Sequence, residues 1–262
     1  MEDSDLPVLL PRKAYEDDVR VPPLPADYSV EILYKDEEIV IVNKPYDIRV
    51  DGRFSITLEK LVRKDFPEMD KFRMCNQLDC GTSGAMVLGR SNIGTRNCNK
   101  LFLAKKSQKY YLAMGQGSMS PDMLLQPVLI RAKLFEPKDD FRVRLDEENG
   151  KECSTIAMPL KICANDTVLF LIKLLTGRRH QIRLHLKHIG YPIVGDWTYG
   201  ERPDEIDRMM LHAWKLSLPY SDEKIVSITA PAVDFYAAAD ISESELEQAF
   251  LDSLDTISSI VE

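Results

Sequence analysis

Residues 175–196, LTGRRHQIRLHLKHIGYPIVGD, constrain the fold more than any other stretch of this chain. Thr176-Gly177 reads as a turn that closes the apolar strand Thr167–Leu175. Ile182, Leu186 and Ile189 then fall at i, i+4 and i+7, the spacing of one buried helical face. Gly190 sits where a left-handed C-cap belongs, and Pro192 follows where a helix cannot continue. The other faces carry Arg178, Arg179, His180, Gln181, Arg183, His185, Lys187 and His188. Basic groups on a half-buried helix are ordinarily only solvated, but donors at this density suit an anionic ligand.

This segment resembles the TGRxHQIRxHLxxIGxPxxGD block of RluA-type pseudouridine synthases and matches it over its whole length. Met74–Leu88 contains NQLDCGTSG, which resembles the HRLDxxTSG catalytic block of that family, with Asp79 at the position of the catalytic aspartate. Locally, Asp79 precedes a Gly81-Thr82-Ser83-Gly84 turn and the apolar strand Ala85–Leu88. Backbone N–H groups can hold a carboxylate at the mouth of such a turn and present it to a ligand. Taken alone, an Asp there is most often a turn former. Ile32–Pro45 resembles the first block of the family, with the strand Ile39–Val42 leading to an Asn-Lys-Pro exit. Lys109–Ala113 resembles the KxYLA segment, and Tyr111 matches the tyrosine that lies against the reacting base. Without the resemblance, Tyr111 reads as a core strand aromatic. Met209–Leu218 and Thr229-Ala230-Pro231 also look familial, so the resemblance spans about Tyr28–Tyr236.

The resemblance implies an α+β pseudouridine synthase fold: a bent, mixed, mostly antiparallel central sheet with flanking helices and a cleft between two subdomains. The short β-rich runs alternating with a few helices agree. It also implies an RNA-modifying isomerase that flips a uridine from the stack, breaks its glycosidic bond and forms a C–C bond at the same sugar. Asp79 would act as nucleophile or base, Arg183 would pair with it and keep it ionised, and Tyr111 would stack on the uracil and take part in proton removal at C5. Gln77, Thr82, Ser83, Lys109, Arg178, His180 and Gln181 are the candidate substrate-binding residues. The partner would be ribosomal, transfer or messenger RNA, presented as a stem-loop. No cofactor is expected, since bond energy is exchanged within one substrate and the chain shows neither a P-loop nor a dinucleotide fingerprint.

The chain departs from the family pattern at two places. The usual His-Arg before the aspartate is Asn76-Gln77, and Gln77 can bond a base edge but cannot clamp phosphate. An animal branch of the family has a similar glutamine. After the first block, the usual small glycine-containing turn is Tyr46-Asp47-Ile48-Arg49. These changes bear on substrate choice, and they leave open a catalytically silent RNA-binding protein on the same fold.

A formal net charge of −8 is unusual for an RNA-binding chain. Residues 1–38 hold 11 acidic and 4 basic residues, and residues 234–262 hold 8 acidic and none basic, which leaves the core positive. Within the core, Arg90, Arg96, Lys100, Lys105, Lys106 and Lys109 run without an acidic residue, interleaved with Phe102, Tyr110 and Tyr111, a pattern suited to partly single-stranded RNA. We read residues 1–27 as an acidic, Pro-containing, poorly ordered leader, 28–236 as the catalytic domain, and 237–262 as an acidic amphipathic helix that opens with a Ser242-Glu243-Ser244-Glu245 capping box. Five cysteines without a CxxC pair, an N-terminus lacking a secretory or mitochondrial signal and no membrane-length apolar run point to the cytoplasm or nucleus. A metal-dependent hydrolase using His180, His185, His188 and Asp196 is disfavoured because the i, i+5, i+8 spacing scatters the histidines around the helix.

Overall fold

In this computed structural model the structure describes residues 28–67, 69, 72–138, 140–200, 208–221 and 224–260, so the expected leader lies outside the described residues. The first half of the fold comprises β1 (Ile32–Lys35), β2 (Ile39–Lys44), α1 (Leu58–Asp65), β3 (Arg73–Met74), β4 (Ser83–Gly89), α2 (Asn92–Leu103), β5 (Gln108–Gln116) and β6 (Val128–Phe135). It continues with β7 (Arg144–Leu145), β8 (Lys151–Cys163), β9 (Thr167–Leu174), α3 (Gln181–His188), β10 (Leu211–Ser221), β11 (Lys224–Thr229), α4 (Val233–Ala239) and α5 (Glu243–Ser259). None of these helices is long and apolar enough to cross a membrane.

Among the described residues, all eleven strands join one sheet in the order β1-β2-β4-β10-β5-β9-β8-β6-β7, with β3 added to β4 and β11 to β10. Every pair is antiparallel except β4 and β10, which run parallel through His212 opposite Ser83 and Ala213 opposite Gly84. That junction requires glycine: Gly84 has φ +107°, and a Cβ there would stand 2.3 Å from the Ala213 carbonyl oxygen. The mixed, mostly antiparallel sheet with flanking helices is the expected α+β pseudouridine synthase architecture.

The central strands read as almost unbroken apolar runs because both sheet faces are covered. Along β5, Tyr111 and Ala113 enter a core with α1 and α3, whereas Tyr110, Leu112 and Met114 enter a second core with α4 and α5. Along β2, Val40 and Val42 join the first core, and Ile39 and Ile41 meet Cys98 of α2 on the opposite side. α4 crosses the boundary expected at residue 236, and the capping box at Ser242 and Glu245 is present. α5 lays Leu246 and Ile257, both fully buried, against the core that contains Trp214 and Phe235. Each such side chain contributes about 1.5–3 kcal/mol by leaving water.

Candidate active site

Asp79 sits on the loop between β3 and β4, where its carbonyl accepts the Thr82 N–H at 3.1 Å. The loop is fastened from below by a buried cation. The Lys44 ammonium, at the end of β2, donates to the carbonyls of Pro45 (2.8 Å), Cys80 (2.8 Å) and Thr82 (2.9 Å). Burial pulls this amine down to about 8, opposed by the nearby Cys80, Asp47 and Asp79. At the far end of the loop, the Ser83 hydroxyl accepts from Arg208 Nη2 at 2.6 Å and lies 2.7 Å from His212 Nδ1.

Arg183 enters from the first turn of α3 and binds two carboxylates. Its Nη1 donates to Asp79 Oδ2 at 3.0 Å, while Nε and Nη2 donate to Asp196 Oδ2 and Oδ1, each at 2.7 Å. Burial opposes its charge, but Asp196 and then Asp79 outweigh burial and hold the guanidinium well above its ordinary range. Asp196 also accepts the backbone N–H groups of Thr198 (2.9 Å) and Tyr199 (3.2 Å), so the Arg183 fork is oriented from behind. The cluster sets two carboxyl groups against one guanidinium, an arrangement favourable to positive charge developing on a sugar carbon.

His180 completes the wall. It caps α3 in the left-handed conformation at φ 57°, with Nε2 3.9 Å from Asp79 Oδ1 and Nδ1 2.7 Å from the Tyr199 hydroxyl. Tyr199 oxygen accepts the Val143 N–H at 2.9 Å and so has its own proton to donate to Nδ1. The imidazole proton therefore belongs on Nε2, facing Asp79. Burial, aided by Arg183 and Arg179 against Asp79, lowers His180 to about 4 and keeps it neutral. The Tyr199 ring also lies 4.9 Å from the Arg183 guanidinium.

Tyr111 is buried on β5, and burial followed by the nearby Asp79 charge drives its phenol well up. The phenolate that C5 proton removal would need is thus disfavoured, and the neutral ring is suited to be an aromatic wall. Lys109 lines a small crevice with Tyr111 and Asn76, and burial lowers its amine. Gln77 and Arg178 are exposed at the surface.

Other expected substrate contacts are absorbed by the fold. Gln181 is buried: its amide donates to Ser154 O (3.0 Å) and Thr155 Oγ1 (2.8 Å) and accepts from Thr176 Oγ1 (2.8 Å) and Arg178 N (3.0 Å). It folds the turn before α3 and has no capacity left for a ligand. Thr82 and Ser83 are likewise buried, Ser83 within the Arg208–His212 network. The basic 90–111 stretch is also less available than its composition suggests. Tyr110 faces the α5 side, edge-on to Phe250 at 4.9 Å, because strand alternation turns it away from Tyr111. Arg90 folds inward to the Asp36 carbonyl and lies 4.9 Å from the Phe66 ring. Arg96, Lys100, Lys105 and Lys106 remain exposed.

The histidines of α3 point apart: His185 is buried with Nε2 3.1 Å from Cys153 Sγ, His188 is exposed, and Asp196 is committed to Arg183. Among the described residues no three His, Cys, Asp or Glu side chains gather as metal ligands. Sequence reading missed Lys44, Tyr199, Arg208 and the carboxylate role of Asp196. Only Lys44 leaves a visible trace, as a lysine closing the apolar strand IVIVNK.

The family profile for RNA pseudouridylate synthase matches residues 38–188. The chain belongs to the RNA pseudouridylate synthase family. The mouse RNA pseudouridylate synthase domain-containing protein 1 is 33% identical over 242 residues, covering 84% of this chain and 79% of the mouse protein. The Escherichia coli dual-specificity RNA pseudouridine synthase RluA is 30% identical over 204 residues, covering 75% of this chain and 90% of RluA. Among solved structures, human RNA pseudouridylate synthase domain containing 1 superposes with a TM-score of 0.72 at 31% identity, over 87% of this chain and 96% of that one. Membership in the pseudouridylate synthase family makes the chain an isomerase, and the Asp79, Tyr111 and Arg183 geometry lies in the blocks through which it resembles RluA-type enzymes.

Proposed function

We propose that this chain converts a uridine in structured RNA to pseudouridine after extruding it from the stack, with Asp79 as the group that attacks or deprotonates at the sugar. The observation that carries the reading is Arg183 Nη1, which donates to Asp79 Oδ2 at 3.0 Å while the rest of the guanidinium is held by Asp196. The N1–C1′ bond breaks, the uracil turns, C5 bonds to C1′, and the C5 proton is lost while N1 gains one. Asp79 Oδ1, which Arg183 does not bind, is the oxygen that would meet the sugar. Its partner Arg183 is hydrogen-bonded to it in a partly closed site, and His180 offers a neutral N–H beside it. Tyr111 is the planar surface against which the freed uracil turns. The free thiols suit a reducing compartment such as the cytoplasm or nucleus.

The test is release of tritium from C5-tritiated uridine in cellular RNA, since each new C5–C1′ bond expels that atom. Wild type should release it and Asp79→Asn should not, while both bind RNA alike. Substantial release by Asp79→Asn removes Asp79 from the mechanism. Failure of wild type on RNA from every cellular fraction would favour a silent RNA-binding protein.

A further inference from the structure

Four cations on α2 and its exit turn stand unpaired. Ser91 caps the helix by accepting the Gly94 N–H at 2.9 Å, and Cys98, Leu101 and Phe102 turn inward onto β2, β4 and β10. That leaves Arg96 and Lys100, one helical turn apart, exposed on the outer face. Past the helix, Lys105 takes the left-handed conformation at φ 55°, and the N–H groups of Lys105 and Lys106 donate back to Phe102 O (3.2 Å) and Leu101 O (3.0 Å). This fastened turn holds Lys105 and Lys106, both exposed, beside the helix end. Among the described residues, none of the four side chains makes an ion pair or a hydrogen bond. Arg63, Arg179, Arg208, Lys215 and Lys224, by contrast, each pair with a carboxylate. The chain has 42 acidic against 34 basic residues, yet none acidic between Arg90 and Tyr111, so four unpaired cations here make an anion-seeking surface.

The surface continues toward the active site. The Lys109 ammonium lies 5.7 Å from the Phe102 ring, and a Cβ built on Gly177 would stand 3.2 Å from that ammonium. Gly177 is followed by the exposed Arg178 and by His180 in the active-site wall. Aromatic rings do not share this surface: Tyr110 and Tyr111 are buried, and Phe102 is half-buried against Lys109. The interleaved aromatics pointed to single-stranded RNA, and their inward turn moves the reading to a duplex. Cations without open rings neutralise phosphates and give bases nothing to stack on.

We propose that the α2 face, with Arg96, Lys100, Lys105 and Lys106, docks the phosphate backbone of the double-stranded RNA stem adjoining the target uridine. The word target rests on the synthase reading; the duplex rests on the cations alone. On α5, exposed Glu243, Glu245, Asp252 and Asp255 repel phosphate and keep the stem to the α2 side.

Binding of a fluorescein-labelled hairpin RNA with a uridine-rich loop, and of the same loop as a stemless strand, would be measured across a salt series. The full chain carrying Asp79→Asn is used so that no turnover intervenes. Neutralising the face with Arg96→Gln, Lys100→Gln, Lys105→Gln and Lys106→Gln should weaken hairpin binding about tenfold or more. It should also make log K against log salt shallower by ~2–4, at about 0.9 per phosphate contact in a duplex. Binding of the stemless strand should change far less. Arg96→Lys, Lys100→Arg, Lys105→Arg and Lys106→Arg together should keep affinity and slope, since only charge is required. A folded neutralised protein, checked by circular dichroism, with wild-type hairpin affinity and slope overturns the proposal. So does an equal loss on the stemless strand, or a loss seen only with anionic phospholipid vesicles. Tritium release by the unmodified chain is scored separately. A chain that releases none yet shows the α2 dependence loses the isomerase reading and keeps this surface.

Discussion

Asp196 is 1% exposed and carries the Arg183 fork from behind, so Asp196→Ala is the sharpest test of how the site is held. The substitution removes two bonds of 2.7 Å to a buried guanidinium and the acceptor for the Thr198 and Tyr199 N–H groups. Deleting one member of a buried, hydrogen-bonded ion pair costs roughly 3–5 kcal/mol. The buried Tyr199 N–H left without a partner adds on the order of 1 kcal/mol, whereas the partly exposed Thr198 N–H can turn to water. Asp79 remains beside Arg183 and offsets part of the loss, so the expected total is about 4 kcal/mol. For a chain of this size that lowers Tm by roughly 8–16 °C. Asp196→Asn keeps the shape and the backbone acceptor, and should cost only about 1.5–3 kcal/mol. Urea and thermal unfolding followed by circular dichroism give both values, and tritium release should fall in the same order. An Asp196→Ala protein within 1 kcal/mol of wild type would refute the view that this pair anchors Arg183.

Three further outcomes follow from the same network. His180, His185 and His212 are each lowered to about 4 by burial, so the unfolded chain binds more protons than the native one between about 6.5 and 4. Their contribution to stability is intact above that window and is lost as pH falls through it, at up to ~1.4 kcal/mol per pH unit for each histidine. Urea midpoints taken from neutral pH downward should show this, less steeply in His185→Gln, and a flat profile contradicts it. Tyr199→Phe should lower kcat by about 5–30-fold with KM little changed, and nitrogen NMR of His180 should show the Nε2–H tautomer losing its dominance; unchanged tautomers would sink the assignment. Lys44→Met strands three carbonyls beneath the Asp79 loop and should cost about 2–4 kcal/mol in urea unfolding, whereas a neutral effect would mean the loop is held by its own turn.

The strand–turn–helix from Thr167 to His188 was legible because its apolar residues repeat with the right period and its ends carry Gly190 and Pro192. Asp79, Tyr111 and Arg183 were visible only through resemblance; locally they pass as a turn former, a core aromatic and a basic helix residue. Tyr199 gave no sign at all, since its importance comes from Val143 and His180, which are distant in sequence. Gln181 misled for the opposite reason. Its motif position suggested a ligand contact, while burial against Ser154 and Thr155, on a strand 26 or more residues earlier, uses every donor and acceptor it has. Tyr110 and Tyr111 looked equivalent in the basic stretch, and strand alternation sends them to opposite faces of the sheet.

The central claim is that Asp79, held by Arg183, makes this family member an active RNA isomerase. The most direct test maps pseudouridine across the RNA of cells lacking the protein and rescued with either wild type or Asp79→Asn. The account predicts sites that vanish with the protein, return with wild type and stay absent with Asp79→Asn. Sites that return equally with both, or a map unchanged by loss of a well-expressed protein, would contradict it.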